Sequence, residues 1–125
     1  MNKDEQKKEF KTRCYRYTIR LIRFLNQLPN EPIYREIKGQ ATRSGTSICA
    51  NYFEAEAASS KRDYQNFFAY SLKSANETVF WLSLLKDSGL TSENLLQENI
   101  YLIEETKSIA NIFASSIITM KGKRK

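Results

Sequence analysis

Histidine is absent from this chain of 125 residues, and cysteine, proline and glycine are scarce. Without histidine, the chain lacks the usual general base, the Ser-His and Cys-His nucleophile pairs and most zinc sites. The di-iron helical bundle, which needs Glu-x-x-His on two helices, is excluded for the same reason. There is also no Gly-rich phosphate loop. An enzyme that uses Glu, Lys or Tyr stays open, but no constellation indicates one, so we predict a non-enzymatic protein without metal or cofactor.

Long apolar runs are missing as well. No stretch of about 18 apolar residues is present, so we predict no membrane span. The first eleven residues are highly charged and contain no apolar region of the kind that a secretory signal needs, which favours the cytoplasm. Cys14 and Cys49 form no C-x-x-C pair and are most simply small buried hydrophobes, with a disulfide or a reactive thiol as the alternative.

Acidic residues are fewer than basic ones, 14 against 20, which gives a net charge of +6. Such a balance suits an anionic partner, most often nucleic acid. It is equally compatible with a soluble protein that happens to be basic. The length and the hydrophobic content of 41% are those of one globular domain with a single core.

Four segments repeat apolar residues at steps of three and four, and none shows strand-like alternation. We predict an all-α, up-down-up-down four-helix bundle with helices over about 4–28, 33–57, 61–88 and 92–119 and a basic tail over 121–125. In the fourth helix a seam runs through Leu96, Ile103, Ala110 and Ile117. More apolar residues lie beside it than one seam needs, which indicates a subunit contact: Leu95, Ile100, Leu102, Ile109, Ile112 and Ile118.

Four arginines follow one flank of the first helix. Arg13, Arg16, Arg20 and Arg23 are spaced by three, four and three residues, so all four project within about a quarter of the circumference. A stripe of this kind could bind phosphates. Alternatively, it is a solvated face, or its members pair with acids on a neighbouring helix or subunit. The basic C-terminal run could assist phosphate binding or act only as a solubilising end; its charged members are Lys121, Lys123, Arg124 and Lys125.

A run of small residues around Gly45 interrupts the large apolar side chains of the second predicted helix. It could be a loop between two short helices. It could also be a helix interior that lets a neighbouring helix backbone come close, at a glycine penalty of about 1 kcal/mol. The three-to-four spacing of apolar and small residues continues through the run and favours the helix.

Two blocks of this sequence resemble a bacterial four-helix-bundle family named after the 23S rRNA intervening-sequence protein. The first block is RSGTSI at 43–48, ANY at 50–52 and EA at 54–55. The second is A-x-S-K-x-D-Y over 58–64, followed by LK at 72–73, ET at 77–78 and W-L-x-L-L over 81–85. The chain departs from the family pattern at four positions, where Gly, a polar residue, Glu and Ala or Arg are usual: Cys49, Phe53, Ser74 and Asn76.

The resemblance implies a four-helix bundle that places Gly45 within the second helix. It also implies a homopentameric barrel, as in the related accessory variability determinant of diversity-generating retroelements, which is basic and binds nucleic acid and a reverse transcriptase. Two functions are therefore open: an RNA- or DNA-binding bundle, or an oligomeric scaffold for a protein partner. The family motif supplies further residues of structural or interface type, among which we expect the two acids to pair with Arg43 or other arginines: Arg43, Gly45, Asn51, Glu54, Glu77 and Trp81.

Overall fold

The computed structural model describes residues 1–122, and within them the chain forms four α-helices and no strand. They are α1 (Lys3–Asn26), α2 (Pro32–Ala55), α3 (Lys61–Asp87) and α4 (Glu93–Gly122). The prediction of a basic tail from position 121 is wrong at its start, because Lys121 and Gly122 continue α4. The other basic residues of that run, Lys123, Arg124 and Lys125, lie outside the described part of the chain.

The helix ends follow from local sequence. Asn2 caps α1 by accepting a hydrogen bond of 2.8 Å from the backbone N–H of Glu5. Pro32 occupies the first turn of α2, where a missing N–H leaves no bond unmade. Ser60 caps α3 by accepting from the N–H of Asp63, and Gly89 adopts a φ of 76° just beyond the last turn of α3. Each of the first three helices therefore begins at a residue suited to that position.

The helices pack around a square, in which each one contacts two neighbours. The backbones approach closely between α1 and α2, α2 and α3, α3 and α4, and α4 and α1, whereas diagonal helices within residues 1–122 meet through side chains such as Tyr52 and Phe113. Because consecutive helices are joined by the short connections 27–31, 56–60 and 88–92, neighbours along the chain run antiparallel. No helix in this part of the chain is both long enough and apolar enough to cross a membrane.

The interior contains much of the apolar surplus that the sequence indicated on α4. Leu102 and Ile109 are completely buried, so the prediction that they belong to a subunit contact is wrong. The buried face of α4 is wider than one seam because α4 packs against both α3 and α1. Of the predicted surplus, Ile100 and Ile118 are exposed, while Leu95 packs against the core.

Gly45 lies inside α2 and is buried, which confirms the helix interpretation of this segment. The expected neighbour was a helix backbone, and that detail is wrong. A Cβ at position 45 would overlap the side chain of Leu21 on α1, with Thr78 of α3 also in contact. Leu21 is completely buried, so moving it aside would disturb the core side chains around it.

Small hydroxyl side chains connect α2 to α3. Thr78 donates to Ser44 at 2.8 Å, and Ser71 donates to the carbonyl oxygen of Ile48 at 2.8 Å. Ser74 donates to Ser47 at 3.0 Å. These bonds satisfy polar groups inside the bundle, so the short side chains allow close packing without leaving buried donors unpaired.

We expect Gly45→Ala to lower the free energy of unfolding by about 1–3 kcal/mol, because displacing Leu21 in a filled core costs more than the alanine gains in helix propensity. Gly39→Ala is the matched control in the same helix, since its Cβ would meet only the Arg43 guanidinium at 3.6 Å. That variant should gain about 0.5–1 kcal/mol from helix propensity. Urea unfolding followed by circular dichroism measures both. Equal stability of the two variants would contradict the overlap at position 45.

Candidate nucleic-acid interface

Positive charge is concentrated on α1. This helix carries eight Lys or Arg residues and three Asp or Glu residues. Its neighbour α4 has the opposite balance, with four Glu and two Lys. The two helices are in contact, so cations of α1 meet carboxylates of α4 along the α1–α4 seam.

Arg13 and Arg20 are held by carboxylates of α4. Arg13 donates to both carboxylate oxygens of Glu105, at 2.9 and 2.7 Å, and to the hydroxyl of Ser108 at 2.8 Å. Arg20 donates to both oxygens of Glu98, at 2.6 and 2.8 Å. These bidentate pairs are the geometry in which Arg binds carboxylate most strongly. For these two arginines, pairing with a neighbouring helix is confirmed.

The two pairs differ in their surroundings. Glu105 is 15% exposed in its side chain, whereas Arg20 is 48% exposed and its guanidinium stacks 3.7 Å from the centre of the Tyr101 ring. The hydrogen bonds to the carboxylates raise the pKa of both Arg13 and Arg20 above the usual value. The hydrogen bond from Arg20 lowers the pKa of Glu98, because it stabilises the carboxylate form.

Arg16 and Arg23 are exposed, and neither forms an ion pair within residues 1–122. Arg16 is rotated by about 60° around the α1 axis from Arg13, and Arg23 by the same angle from Arg20, which turns both away from α4. The predicted stripe is therefore two parallel columns. One column joins α1 to α4, and the other presents free guanidinium groups to solvent.

Three of the four arginines surround one recess of about 360 Å³ at the α1–α4 seam. Arg13, Arg16 and Arg20 line it together with Thr12 and Tyr101. Glu9 and Glu105 also line it, so the recess is not uniformly positive. Arg23 lies outside it. Of the three arginines in this recess, Arg16 is the one without a carboxylate partner among residues 1–122.

Lys121 is remote from the arginines. Arg13 pairs with Glu105, and Lys121 follows Glu105 by 16 residues of the same helix, or about 24 Å. The structure does not bring Lys121 together with the predicted stripe.

Family-motif residues lie on α2 and α3 and not at the arginine columns. Asn51 donates to the backbone and side-chain oxygens of Ser47, and Trp81 donates to Glu77 at 3.2 Å. The expected pairing of Glu54 and Glu77 with arginines is wrong for a single chain, because neither forms an ion pair in the described part. Arg43 and Glu54 are eleven residues apart, about 16 Å along α2.

Both cysteines are buried and unbonded. Burial raises the pKa of Cys14 to about 12, so its thiol stays protonated near neutral pH. This state agrees with the interpretation of Cys14 and Cys49 as small hydrophobes and removes the reactive thiolate.

Residue spacing offered a signal for the acids of α4 that the prediction did not use. Glu98 and Glu105 are seven residues apart, and so are Arg13 and Arg20. In two antiparallel neighbouring helices, equal spacing lets both pairs form in one register. No comparable signal in the sequence indicated Tyr101, which lies between the two acids. Charge spacing identifies carboxylate partners for Arg20, but it does not identify a ring that stacks on the same guanidinium.

A double-mutant cycle of Arg13→Gln and Glu105→Gln should give a coupling energy of about 1–2 kcal/mol, because the pair is bidentate and partly buried. The cycle of Arg20→Gln and Glu98→Gln serves as the comparison and should give about 0.5 kcal/mol, since that pair is more exposed. Urea unfolding provides both values. A coupling near zero for the Arg13 pair would mean that it does not hold α1 to α4.

Comparison with known proteins agrees with the fold and adds a family. A family model described as "23S rRNA-intervening sequence protein" matches residues 6–112. A solved structure of a protein with unknown function from the S23 ribosomal protein family of Bacteroides thetaiotaomicron has 31% sequence identity and a TM-score of 0.74. The match covers 86% of this chain and 97% of that one, and no curated protein matches. Neither description names an enzymatic activity. The chain belongs to the 23S rRNA-intervening sequence protein family.

Proposed function

We propose that this protein is a non-enzymatic nucleic-acid-binding bundle, with RNA as its ligand, that contacts phosphates through the outward column of α1. The observation that carries the proposal is the exposure of Arg16 and Arg23 on the most basic helix of the bundle, with no carboxylate partner in residues 1–122. An unpaired guanidinium keeps all of its donors for a phosphate.

The spacing of the outward column suits a phosphate backbone. Arg16 and Arg23 are separated by seven residues, about 10 Å along α1. Neighbouring phosphates of one strand are closer together than Arg16 and Arg23 are. The two side chains can therefore reach two phosphates of the same strand or one phosphate on each side of a groove. Contacts of this kind position a nucleic acid without reading its sequence.

Paired arginines contribute differently to the same surface. Arg20 remains 48% exposed while bound to Glu98, so a phosphate can approach its outer edge. Its charge is largely offset by the carboxylate beside it, however, and the field that attracts an anion comes mainly from residues without such a partner. The binding surface therefore centres on Arg16 and Arg23, not on the whole stripe.

Changing Arg16 and Arg23 together to Glu should weaken RNA binding at least tenfold and make the dependence of log affinity on log salt shallower by about two. Fluorescence anisotropy with a labelled single strand and a labelled duplex, titrated at several salt concentrations, gives both quantities. Lys61→Glu with Arg62→Glu is the control, because it makes the same charge change at exposed positions of α3. Equal losses in both double variants would show that net charge alone governs binding.

Self-association is the second part of the proposal, with a pentamer as the form that the family resemblance implies. Its structural support is a set of exposed apolar side chains on the outer face of α3. Phe80 and Leu84, four residues apart, are 55% and 36% exposed beside the partly buried Trp81, and Tyr70, which is 52% exposed, lies about 15 Å away along the helix. A monomer gains nothing by exposing such a cluster, whereas a scaffold could bury it against a second copy or a protein partner. In a closed ring the second surface would be a different patch.

Light scattering should give a mass that is a multiple of 14.6 kDa, and Phe80→Glu should lower that mass towards one chain by placing a charge in the contact. Ile118→Glu on α4 is the control, since Ile118 is even more exposed at 71% but lies apart from the α3 cluster. A single-chain mass for the parent protein at micromolar concentration would refute self-association. Dissociation by Ile118→Glu alone would move the contact to α4.

A further inference from the structure

A long groove opens between the first turns of α1 and the last turns of α4, at the end of the bundle away from the acids that hold Arg20. Its volume is about 830 Å³. Its floor is aromatic and includes Phe10, Tyr52, Tyr64 and Phe68. Phe10, Tyr52 and Phe68 pack edge to face on the buried ring of Phe113, and Tyr64 packs on Phe68 at an interplanar angle of 35°.

The walls of the groove give it the length and the straight course that a bound helix would need. On α4 the lining residues recur over successive turns from Ser108 to Met120, a length of 12 residues or about 18 Å. On α1 they run from Lys3 to Phe10. The groove therefore follows the helix axes as an elongated trough, unlike the rounded pocket of a small molecule, and a short helix can lie along its length.

The charge of the lining is one-sided. Lys3 and Lys7 lie on the α1 wall, and among residues 1–122 no Asp or Glu lines the groove. The α4 wall adds hydroxyl and amide groups, among them Asn111, Ser115 and Thr119. An occupant with carboxylates on its edges would find cations and hydrogen-bond donors there. An occupant with lysines on its edges would be repelled by the α1 wall.

We propose that this groove binds an acidic amphipathic α-helix of a partner protein, which places apolar side chains on the aromatic floor and Asp or Glu residues beside Lys3 and Lys7. The aromatic floor would bind the apolar face of such a helix, and the lysines of the rim would bind its acidic face. Two of the four rings, Tyr52 and Phe68, are only 7% and 6% exposed and therefore present little of their faces to the groove. Stacking of nucleic-acid bases, which needs exposed ring faces, is therefore disfavoured.

The test uses the whole protein and three fluorescein-labelled synthetic peptides of about 14 residues, long enough to span the α4 wall as a helix. One peptide has Leu and Phe at helical spacing with Glu elsewhere. The second replaces every Glu with Lys, and the third keeps the composition of the first but scrambles the order so that no apolar face forms. Fluorescence anisotropy should show saturable binding of the first peptide only, at least tenfold tighter than either of the others.

Two pairs of matched variants locate the binding. Lys7→Glu should weaken binding of the acidic peptide about three- to tenfold, whereas Lys8→Glu, the same change at an adjacent exposed position outside the lining, should change it less than twofold. Ser115→Trp should block the trough and weaken binding more than tenfold. Ile118→Trp places the same side chain on α4 outside the lining and should have little effect.

Several results would overturn the proposal. Equal binding of the ordered and scrambled acidic peptides would show charge attraction without a helix site, as would equal effects of Lys7→Glu and Lys8→Glu. A change in oligomer mass caused by Ser115→Trp would assign the groove to a second copy. Loss of RNA binding in Ser115→Trp would assign it to nucleic acid. The Arg16→Glu, Arg23→Glu variant keeps the two proposals separate, because it should lose RNA and retain the peptide.

Discussion

The position of Leu21 in the space left by Gly45 determines how α1 is oriented in this bundle. A side chain at position 45 would occupy the same volume, so the fit depends on glycine at this point of α2. Because Leu21 is completely buried, α1 cannot rotate about its axis without pulling this side chain out of the core. The rotation of α1 in turn decides which of its arginines meet α4 and which face solvent.

As a consequence, the arginines of α1 fall into two pairs with different surroundings. Arg13 and Arg20 face α4 and bind Glu105 and Glu98, while Arg16 and Arg23 face water. An arrangement in which all four arginines were free would leave two carboxylates of α4 without partners near the seam. An arrangement in which all four were paired would leave no cation for an anionic ligand. The observed rotation serves both stability and the proposed contact with phosphates.

The four helices and most of the interior could be predicted from the sequence, because apolar spacing reports directly on which side of a helix is buried. The buried seam of α1, which includes Cys14, Tyr17 and Leu21, is visible in this way. The division of the arginines could not be predicted from α1 alone. A helix sequence states the angle between two side chains on that helix, but not the direction in which the neighbouring helix lies. The same limit explains Leu102 and Ile109, whose burial depends on α4 touching two helices at once.

The equal spacing of the two arginine–glutamate pairs also affects how uniquely the axial position of α1 against α4 is specified. Apolar seams with a seven-residue repeat look alike after a shift of seven residues, so they specify the axial position of α1 against α4 only weakly. The charges do not share that ambiguity. Sliding α1 by one repeat would bring Arg20 to Glu105 or Arg13 to Glu98, and in either case one arginine and one glutamate would lose their partners. The two pairs together therefore favour one axial register of α1 against α4.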